Sequence, residues 1–301
     1  MPSRHRSGRH VETSALTAVL PVVALLPVAL VALAVFWLPV RAVWKVPFWA
    51  FTAGYLAGTV LFFLRPVQRL VLSRLLGARP PTAAEAGVLQ RPWQRVAQAM
   101  GVPPQRFVLA VLDADEVNAF ASGGHLVVVT SYAIDTLSER ELSGVLAHEL
   151  SHHLGLHTVA LTVGQWISLP IVILARVGFW LERVATAATD TFAQGSAGLT
   201  FAGRAVSVLL TMVAWVFQLS LLVSSAIANL VGRAAELQAD RRVVDTGFGR
   251  ELAAALRRFV AAGDGTSTSG WRDRLAASHP PARTRIAYIE AVLRARQQAR
   301  G

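Results

Sequence analysis

The stretch with the clearest capacity for chemistry is His148-Glu149-Leu150-Ser151-His152, an H-E-x-x-H sequence. On a helix, residues four positions apart lie on the same face, so His148 and His152 can both bind one metal ion. Glu149 lies beside His148 and can reach a water molecule at that metal, where a carboxylate acts as a general base. The alternative is a solvated helix that carries two surface histidines.

The residues around this motif predict the helix that it needs. Ser138 followed by Glu141 is typical of a capping box at a helix start. The residues after it place an apolar side chain at every third or fourth position, which indicates one buried face. That face consists of Leu142, Val145, Leu146 and Leu150.

A catalytic zinc site needs a third protein ligand and an open position for water. Gly155 continues the motif toward the longer pattern H-E-x-x-H-x-x-G-x-x-H, but Thr158 stands where that pattern requires histidine. His157 lies one residue too early, and a shift of one residue points its side chain elsewhere. The nearest histidine is therefore a poor candidate for the third ligand.

Glu236 is the better candidate, because Glu236 and Asp240 lie one helical turn apart on one face. Glu236 can complete a site of two histidines and one glutamate, while Asp240 accepts a hydrogen bond from a ligand histidine. The alternative is an ordinary pair of solvated carboxylates. The chain has only 18 acidic residues, and this pair follows directly on an apolar stretch, which favours the metal site.

The composition predicts a membrane protein and limits the metal ligands. Of 301 residues, 53% are hydrophobic and only 16% are charged, which is too apolar for an ordinary soluble enzyme. The chain contains no cysteine, so any zinc must be held by histidine and carboxylate. The net charge of +11 invites a nucleic-acid partner, but the basic residues cluster beside apolar stretches, as at membrane edges. We therefore expect a lipid bilayer and no nucleic acid as partner.

Four apolar stretches are long enough to be transmembrane helices, and they divide the chain into four parts. We expect an N-terminal tail with two spans at 1–64, a catalytic region at 65–157, a two-span hairpin at 158–231 and a second catalytic region at 232–301. Arginines flank the first pair of spans, which predicts that both catalytic regions face the cytoplasm. The approximate spans are 15–40, 46–64, 158–181 and 205–231, with an outward-facing loop at 182–204.

The remaining sequence predicts a mainly helical α+β fold with a small β-sheet. Residues 83–100 form a helix with Val88, Trp93 and Val96 as candidate core positions. A strand is predicted at 106–112, and strands at 117–120 and 125–130 flank a glycine-containing hairpin turn. A basic amphipathic helix follows Pro280-Pro281.

These motifs resemble the M48 peptidases, the family that contains the HtpX-like membrane proteases and the CAAX prenyl endopeptidases. The H-E-x-x-H motif with a downstream Glu236-x-x-x-Asp240 carries the resemblance. Further similar features are Val117-Asn118-Ala119-Phe120 before a Gly-Gly turn, His157 after the motif, and Ser278-His279-Pro280-Pro281. The two spans before the catalytic region and the two-span hairpin resemble the HtpX-like arrangement. The His152-His153 pair is a departure from the family pattern.

The resemblance implies a zinc-dependent endopeptidase of the gluzincin type. One Zn²⁺ would be bound by His148, His152 and Glu236, with Glu149 as general base. His279 could stabilise the oxyanion, or could equally be a capping or exposed residue. Asn118 marks a strand edge for the substrate, or is simply a turn residue.

Several readings of function stay open beside a membrane protease of membrane-protein quality control. A catalytically inactive membrane scaffold would have the same fold, although the intact set of ligands argues against it. A CAAX-type processing protease has the same chemistry but more spans. An intramembrane protease would carry the motif inside an apolar stretch. We expect protein or peptide substrates, although no residue specifies a target or an oligomeric state.

Overall fold

The computed structural model describes residues 19–299 except 62, 156, 194 and 262–280, and these residues form two compact units. We call one the site unit; it comprises Val60–Thr162 and the chain from Asn229 onward. The other, the span unit, comprises Val19–Thr59 and Val163–Ala228. His279 lies outside the described residues.

The described residues form the following helices and strands in chain order. They are α1 (Leu20–Trp44), α2 (Phe48–Leu61), α3 (Arg65–Leu75), β1 (Ala78–Arg79), α4 (Ala83–Ala99), β2 (Val108–Leu112), β3 (Ala119–Ser122), β4 (Leu126–Thr130), α5 (Ser131–Thr136), α6 (Glu139–Leu154), α7 (His157–Phe192), α8 (Ala197–Asp245), α9 (Gly249–Ala261) and α10 (Ala282–Gln298). The predicted mainly helical α+β fold is confirmed.

The predicted small sheet is present in the site unit and has four strands in the order β1-β2-β4-β3. β2 and β4 are parallel, whereas β1 and β3 pair antiparallel with their neighbours. The β3–β4 hairpin turns at Gly123, whose φ of 61° lies in the left-handed region that glycine adopts without strain. Because β3 is last in the strand order, it is an edge strand of the sheet.

The core of the site unit lies between the sheet and the helix that carries the H-E-x-x-H motif. Leu142, Leu146 and Leu150 on α6 are fully buried, as their spacing predicts. They share one apolar cluster with Val127 and Val129 of β4. This packing holds α6 against a rigid sheet, which is what a precisely placed side-chain site requires.

The core face of α4 differs by one residue from the prediction. Trp93 and Val96 are buried as expected, but Val88 is 45% exposed and Leu89 is buried instead. Leu89, Trp93 and Val96 follow the spacing i, i+4, i+7 of one helical face. Val88 lies about 100° away from that face, so the prediction for Val88 was wrong.

The span unit contains helices long and apolar enough to cross a bilayer. Among the described residues α1, α7 and α8 meet that condition, and a fourth span exists only if α2 and α3 count together as one broken span. α2 alone has 14 residues, whereas about 20 are needed to cross the hydrocarbon core. The described part of the chain therefore contains three to four candidate spans.

The predicted loop at 182–204 is largely helical. α7 continues to Phe192 and α8 begins at Ala197, so the connection is much shorter than expected. Small residues allow the two helices to approach closely there: Thr186 Oγ1 donates to Ser207 Oγ at 3.1 Å, and Gly203 faces Thr189 without room for a Cβ atom. Small polar side chains at helix contacts explain a composition that otherwise suggests a loop.

Candidate active site

The motif helix begins at the predicted capping box. Ser138 Oγ accepts a hydrogen bond from the Glu141 backbone N–H, and the Glu141 carboxylate accepts one from the Ser138 N–H at 2.8 Å. Arg258 of α9 also donates to Glu141, at 2.7 Å. Burial raises the pKa of Glu141, but these hydrogen bonds lower it more, so its pKa lies below the usual value. The start of α6 is thereby tied to α9.

Three buried side chains bring their ligand atoms together in the site unit. The Nε2 atoms of His148 and His152 lie 3.1 Å apart. Glu236 of α8 places Oε2 3.2 Å from His148 Nε2 and Oε1 3.1 Å from His152 Nε2. All three residues are less than 9% exposed, and they form a group that could hold a metal ion.

The donor set and its spacing fit a tetrahedral metal ion. Ligand atoms about 2.0–2.1 Å from one zinc ion would lie about 3.3 Å from one another, close to the 3.1–3.2 Å found here. Two imidazoles and one carboxylate also leave a fourth position open. Glu149 follows His148 on the same helix and is 4% exposed.

Asp240, one turn after Glu236 on α8, holds the ring of His148. Asp240 Oδ1 lies 3.0 Å from His148 Nδ1. Because a carboxylate accepts, Nδ1 carries a hydrogen, which leaves Nε2, facing Glu236 and His152, as the nitrogen that a metal can bind once it is deprotonated. The structure thus brings together four of the residues that the sequence singled out.

Arg285 of α10 completes this cluster and was not found from the sequence. Its guanidinium donates to both oxygens of Asp240, from Nε at 3.0 Å and from Nη2 at 2.7 Å, and Nη1 lies 3.5 Å from Glu236 Oε2. Arg285 is only 6% exposed. One feature of the sequence could have indicated it: Arg285 places a positive charge on the same helical face as the apolar Ala282 and Ile289, and both of these residues are buried.

The buried charged groups of the site shift the pKa values of His148 and Asp240. Burial and Arg285 lower the pKa of His148, but the carboxylates of Glu236 and Asp240 outweigh them and raise it to about 9. Burial raises the pKa of Asp240, whereas Arg285 and His148 lower it to about 2. Asp240 is therefore ionised at neutral pH and remains a hydrogen-bond acceptor.

The second histidine of the His152-His153 pair has a structural role. His153 Nε2 lies 2.9 Å from the carbonyl oxygen of Leu126 in β4, and Thr158 Oγ1 lies 3.2 Å from His153 Nδ1. A carbonyl only accepts, so Nε2 carries the hydrogen and Nδ1 accepts from Thr158. Burial lowers the pKa of His153 to about 3. This neutral ring joins α6 to the sheet, and Thr158, at the position where a histidine ligand was considered, supports it.

Asn118 lies immediately before β3. Its carbonyl accepts from the Thr130 N–H and its own N–H donates to Thr130 Oγ1, both at 3.0 Å. In an antiparallel pair of strands, the backbone N–H and C=O groups of alternate residues point toward the partner strand. Asn118 points these groups toward Thr130, so those of Ala119 and Ala121 point to the open edge of the sheet. α6 packs against this edge strand.

A comparison with protein families matches the model of peptidase family M48 to residues 83–293. This range covers most of the chain and includes the three clustered residues and Arg285. The chain belongs to peptidase family M48.

Curated relatives of this M48 chain agree with that assignment. "Protease HtpX homolog" of Acidiphilium cryptum is 30% identical over 246 residues, covering 74% of this chain and 79% of the relative. "Protease HtpX" of Idiomarina loihiensis is 31% identical over 243 residues, again with 74% and 79% coverage. With the clustered metal-binding residues and the apolar spans, these matches make the chain an HtpX-like, multi-pass, membrane-bound metalloprotease. An inactive scaffold and a CAAX-type protease are not favoured.

A solved structure shows the same fold at low sequence identity. The crystal structure of S. mikatae Ste24p superposes with a TM-score of 0.52 and 16% sequence identity. The match covers 85% of this chain and 61% of that one. The two proteins therefore share a fold, although few of their aligned residues are identical.

Proposed function

We propose that this M48 protein is a zinc-dependent endopeptidase. The observation that carries the proposal is the convergence of His148, His152 and Glu236, whose ligand atoms lie 3.1–3.2 Å apart. Two imidazoles and a carboxylate are the donors of known catalytic zinc sites in proteases. The cysteine-free sequence offers no thiolate alternative.

The residues around the cluster have distinct roles in this proposal. The chemistry that zinc supplies at such a site is polarisation of a carbonyl and a lowered pKa of bound water. Glu149 accepts the proton of the attacking water and delivers it to the leaving amine. Asp240 keeps His148 in the tautomer that leaves Nε2 available for the metal. His279, outside the described residues, is the candidate group for stabilising the oxyanion.

The open edge of β3 is the proposed binding surface for an extended substrate. Backbone groups of Ala119 and Ala121 can pair with a peptide strand, with Asn118 at the start of that edge. Recognition through the main chain depends little on side-chain identity. Such an edge suits a protease that acts on exposed segments of many proteins, and we infer a role in membrane-protein quality control.

We further propose that the protein lies in the cell membrane with its catalytic regions, 65–157 and 232–301, in the cytoplasm. The segments 1–64 and 158–231 would supply the spans. Arg65, Arg69, Arg74 and Arg79 follow the second apolar stretch, and such arginines favour the cytoplasmic side.

Metal analysis of purified protein tests the ligands. Wild-type protein should contain one zinc per chain, and Glu236→Ala should lose it because two histidines alone hold zinc weakly. Glu139→Ala is the matched control, since Glu139 is exposed on α6, and it should keep its zinc. Stoichiometric zinc in Glu236→Ala would show that Glu236 is not the third ligand.

Cleavage assays test the chemistry separately. Glu149→Gln should retain zinc and lose at least about 100-fold in kcat, the contribution of general acid–base catalysis. A membrane-protein substrate blocked at both termini distinguishes an endopeptidase from an exopeptidase. Unchanged cleavage by Glu149→Gln would remove the general base from the mechanism, and failure to cut the blocked substrate would exclude endopeptidase action.

A further inference from the structure

α3 is a basic helix without acidic neighbours in the sequence. It carries Arg65, Arg69 and Arg74, and the chain contains no aspartate or glutamate between Glu12 and Glu85. α2 ends at Leu61, only a few residues before Arg65. Cationic charge is therefore concentrated immediately after an apolar helix that is a candidate for part of a membrane span.

The same segment exposes large apolar side chains. Leu70 is 56% exposed, Val71 42% and Leu75 70%, and Leu64 directly before the helix is 47% exposed. A helix that presents arginines together with leucines is typical of a segment that lies in the headgroup region of a bilayer. The exposed leucines of α3 thus favour an amphiphilic partner over a purely polar one.

A cavity of about 910 Å³ lies beside α3 in the site unit. Its lining includes Arg65, Arg69, Arg74 and Arg79 together with apolar side chains such as Leu70 and Phe107. The volume lies within the range of about 300–1,000 Å³ that is usual for small-molecule sites. None of the lining residues belongs to the metal cluster.

The arginines that line this cavity differ in whether they already have a partner in the protein. Arg79 forms ion pairs with Glu85 and Asp113, and Arg65 donates to the backbone carbonyl of Gln105. Within the described part of the chain, Arg69 and Arg74 have no carboxylate partner. Two guanidinium groups beside an apolar wall are thus available to an anionic ligand.

We propose that this cavity binds the headgroup of an anionic membrane phospholipid. Arg69 and Arg74 pair with the phosphate oxygens, for which the planar guanidinium is well suited. Leu70 and Phe107 contact the apolar start of the acyl chains. The site is a lipid-binding site separate from the hydrolytic chemistry, and its function does not depend on a bound metal.

The test measures lipid binding by full-length protein purified in detergent and stripped of lipid. Dioctanoyl phosphatidylglycerol should bind saturably and at least about tenfold more tightly than dioctanoyl phosphatidylcholine. Arg69→Gln/Arg74→Gln should weaken phosphatidylglycerol binding roughly 10- to 30-fold, since each arginine contributes about 1 kcal/mol near an anionic headgroup. Arg69→Lys/Arg74→Lys should bind more tightly than the glutamine double variant but less tightly than wild type, because the charge remains and the planar guanidinium is lost.

A matched control removes the same charge elsewhere. Arg250→Gln/Arg294→Gln changes two exposed arginines of α9 and α10 and should leave lipid binding unchanged. Equal binding of the two lipids, or equal loss in both glutamine double variants, would overturn the proposal. Displacement of phosphatidylglycerol by inorganic phosphate at equal concentration would also overturn it, because the ligand would then be a free anion.

Discussion

At the scale of single residues, the site depends on a chain of buried polar contacts that starts from one helix and ends on another. Arg285 donates to Asp240, and Asp240 accepts from His148. The guanidinium of Arg285 neutralises the carboxylate of Asp240, which is 0% exposed. This pairing is needed because an unpaired buried charge would be strongly destabilising. α10 thereby contributes to the site without supplying a ligand atom.

We expect Asp240→Asn to weaken metal binding and also to lower stability, because Glu236, 3.5 Å away, is then the remaining close carboxylate for the buried Arg285. The amide keeps the size of the side chain but loses the negative charge that fixes the tautomer of His148, and loss of such a partner typically costs 10- to 100-fold in affinity. Competition with a chromophoric chelator measures the dissociation constant.

Asp245→Asn is the control for this experiment, because Asp245 lies on the same helix in an exposed ion pair with Arg296. It should bind metal as wild type does. If Asp240→Asn also bound metal as tightly as wild type, Asp240 would have no role in orienting His148.

At the scale of elements, the position of α6 is set by a close approach to α9. A Cβ atom built on Gly144 would lie 2.3 Å from the backbone nitrogen of Leu252 and 2.6 Å from the carbonyl carbon of Glu251. Backbone atoms cannot rotate away as the end of a side chain can. Gly144 therefore allows the motif helix and α9 to touch one turn before His148.

Gly144→Ala should lower the free energy of unfolding by about 3 kcal/mol, at the upper end for overpacking. Thermal unfolding of detergent-purified protein is the measurement. Gly87→Ala on α4, where an added Cβ meets nothing within 4 Å, should instead stabilise by up to about 1 kcal/mol through helix propensity. Equal melting temperatures for Gly144→Ala and wild type would show that the helices are not in contact there.

A second link between elements is an ion-pair network on Arg79 of β1. Arg79 donates two hydrogen bonds of 2.8 Å to Glu85 at the start of α4, and further ones to Asp113 after β2. The hydrogen bonds from Arg79, above all, lower the pKa of Glu85 to about 2. The network joins the edge of the sheet to α4.

This lowered pKa predicts a pH-dependent stability. The contribution of Glu85 is present above its ordinary pKa of 4.5 and is lost as the pH falls toward about 2. Glu85→Gln should destabilise by about 1 kcal/mol at pH 7, a modest value because Arg79 is partly exposed, and the difference should shrink between pH 4.5 and 2.

Unfolding of Glu85→Gln and wild type across this pH range is the measurement. The exposed Asp115→Asn serves as control and should change the free energy of unfolding by less than about 0.5 kcal/mol. A difference for Glu85→Gln that did not depend on pH would mean that ionisation of Glu85 does not stabilise the fold.

At the scale of the whole molecule, the site unit is built from two stretches separated along the chain by span-unit residues. His148 and His152 precede this insertion and Glu236 follows it. The metal cluster therefore needs both stretches on the same side of the membrane. An even number of crossings between them satisfies this requirement, and the proposed transmembrane hairpin of α7 and α8 would supply two.

The absence of native cysteine permits a direct test of topology. In intact cells, Ala197→Cys, exposed at the start of α8, should react with a membrane-impermeant maleimide. Ala84→Cys, exposed on α4, should react only after the cells are opened. The opposite pattern would place the catalytic regions outside the cytoplasm.

Much of the site could be predicted from the sequence because its signals are local. The capping box, the spacing of Leu142, Leu146 and Leu150, and the i, i+4 pairs on α6 and α8 depend only on helical geometry. The apolar spans follow from composition in the same way. Glu236 was predicted as a partner of the histidines because it lies one helical turn from Asp240, because this pair follows directly on an apolar stretch, and because the chain has only 18 acidic residues.

The tertiary structure decided what depends on contacts between distant elements. Arg285 could not be assigned from a basic amphipathic helix, since its role arises only where α10 meets Asp240. The exposed Val88 and the helical continuation of α7 through residue 192 likewise depend on which faces pack against a neighbour. By itself the sequence determined which side chains could bind a metal and which helices carry them. Packing between remote helices decided that the ligand atoms meet within 3.2 Å, because burial and complementary charge are properties of the assembled unit.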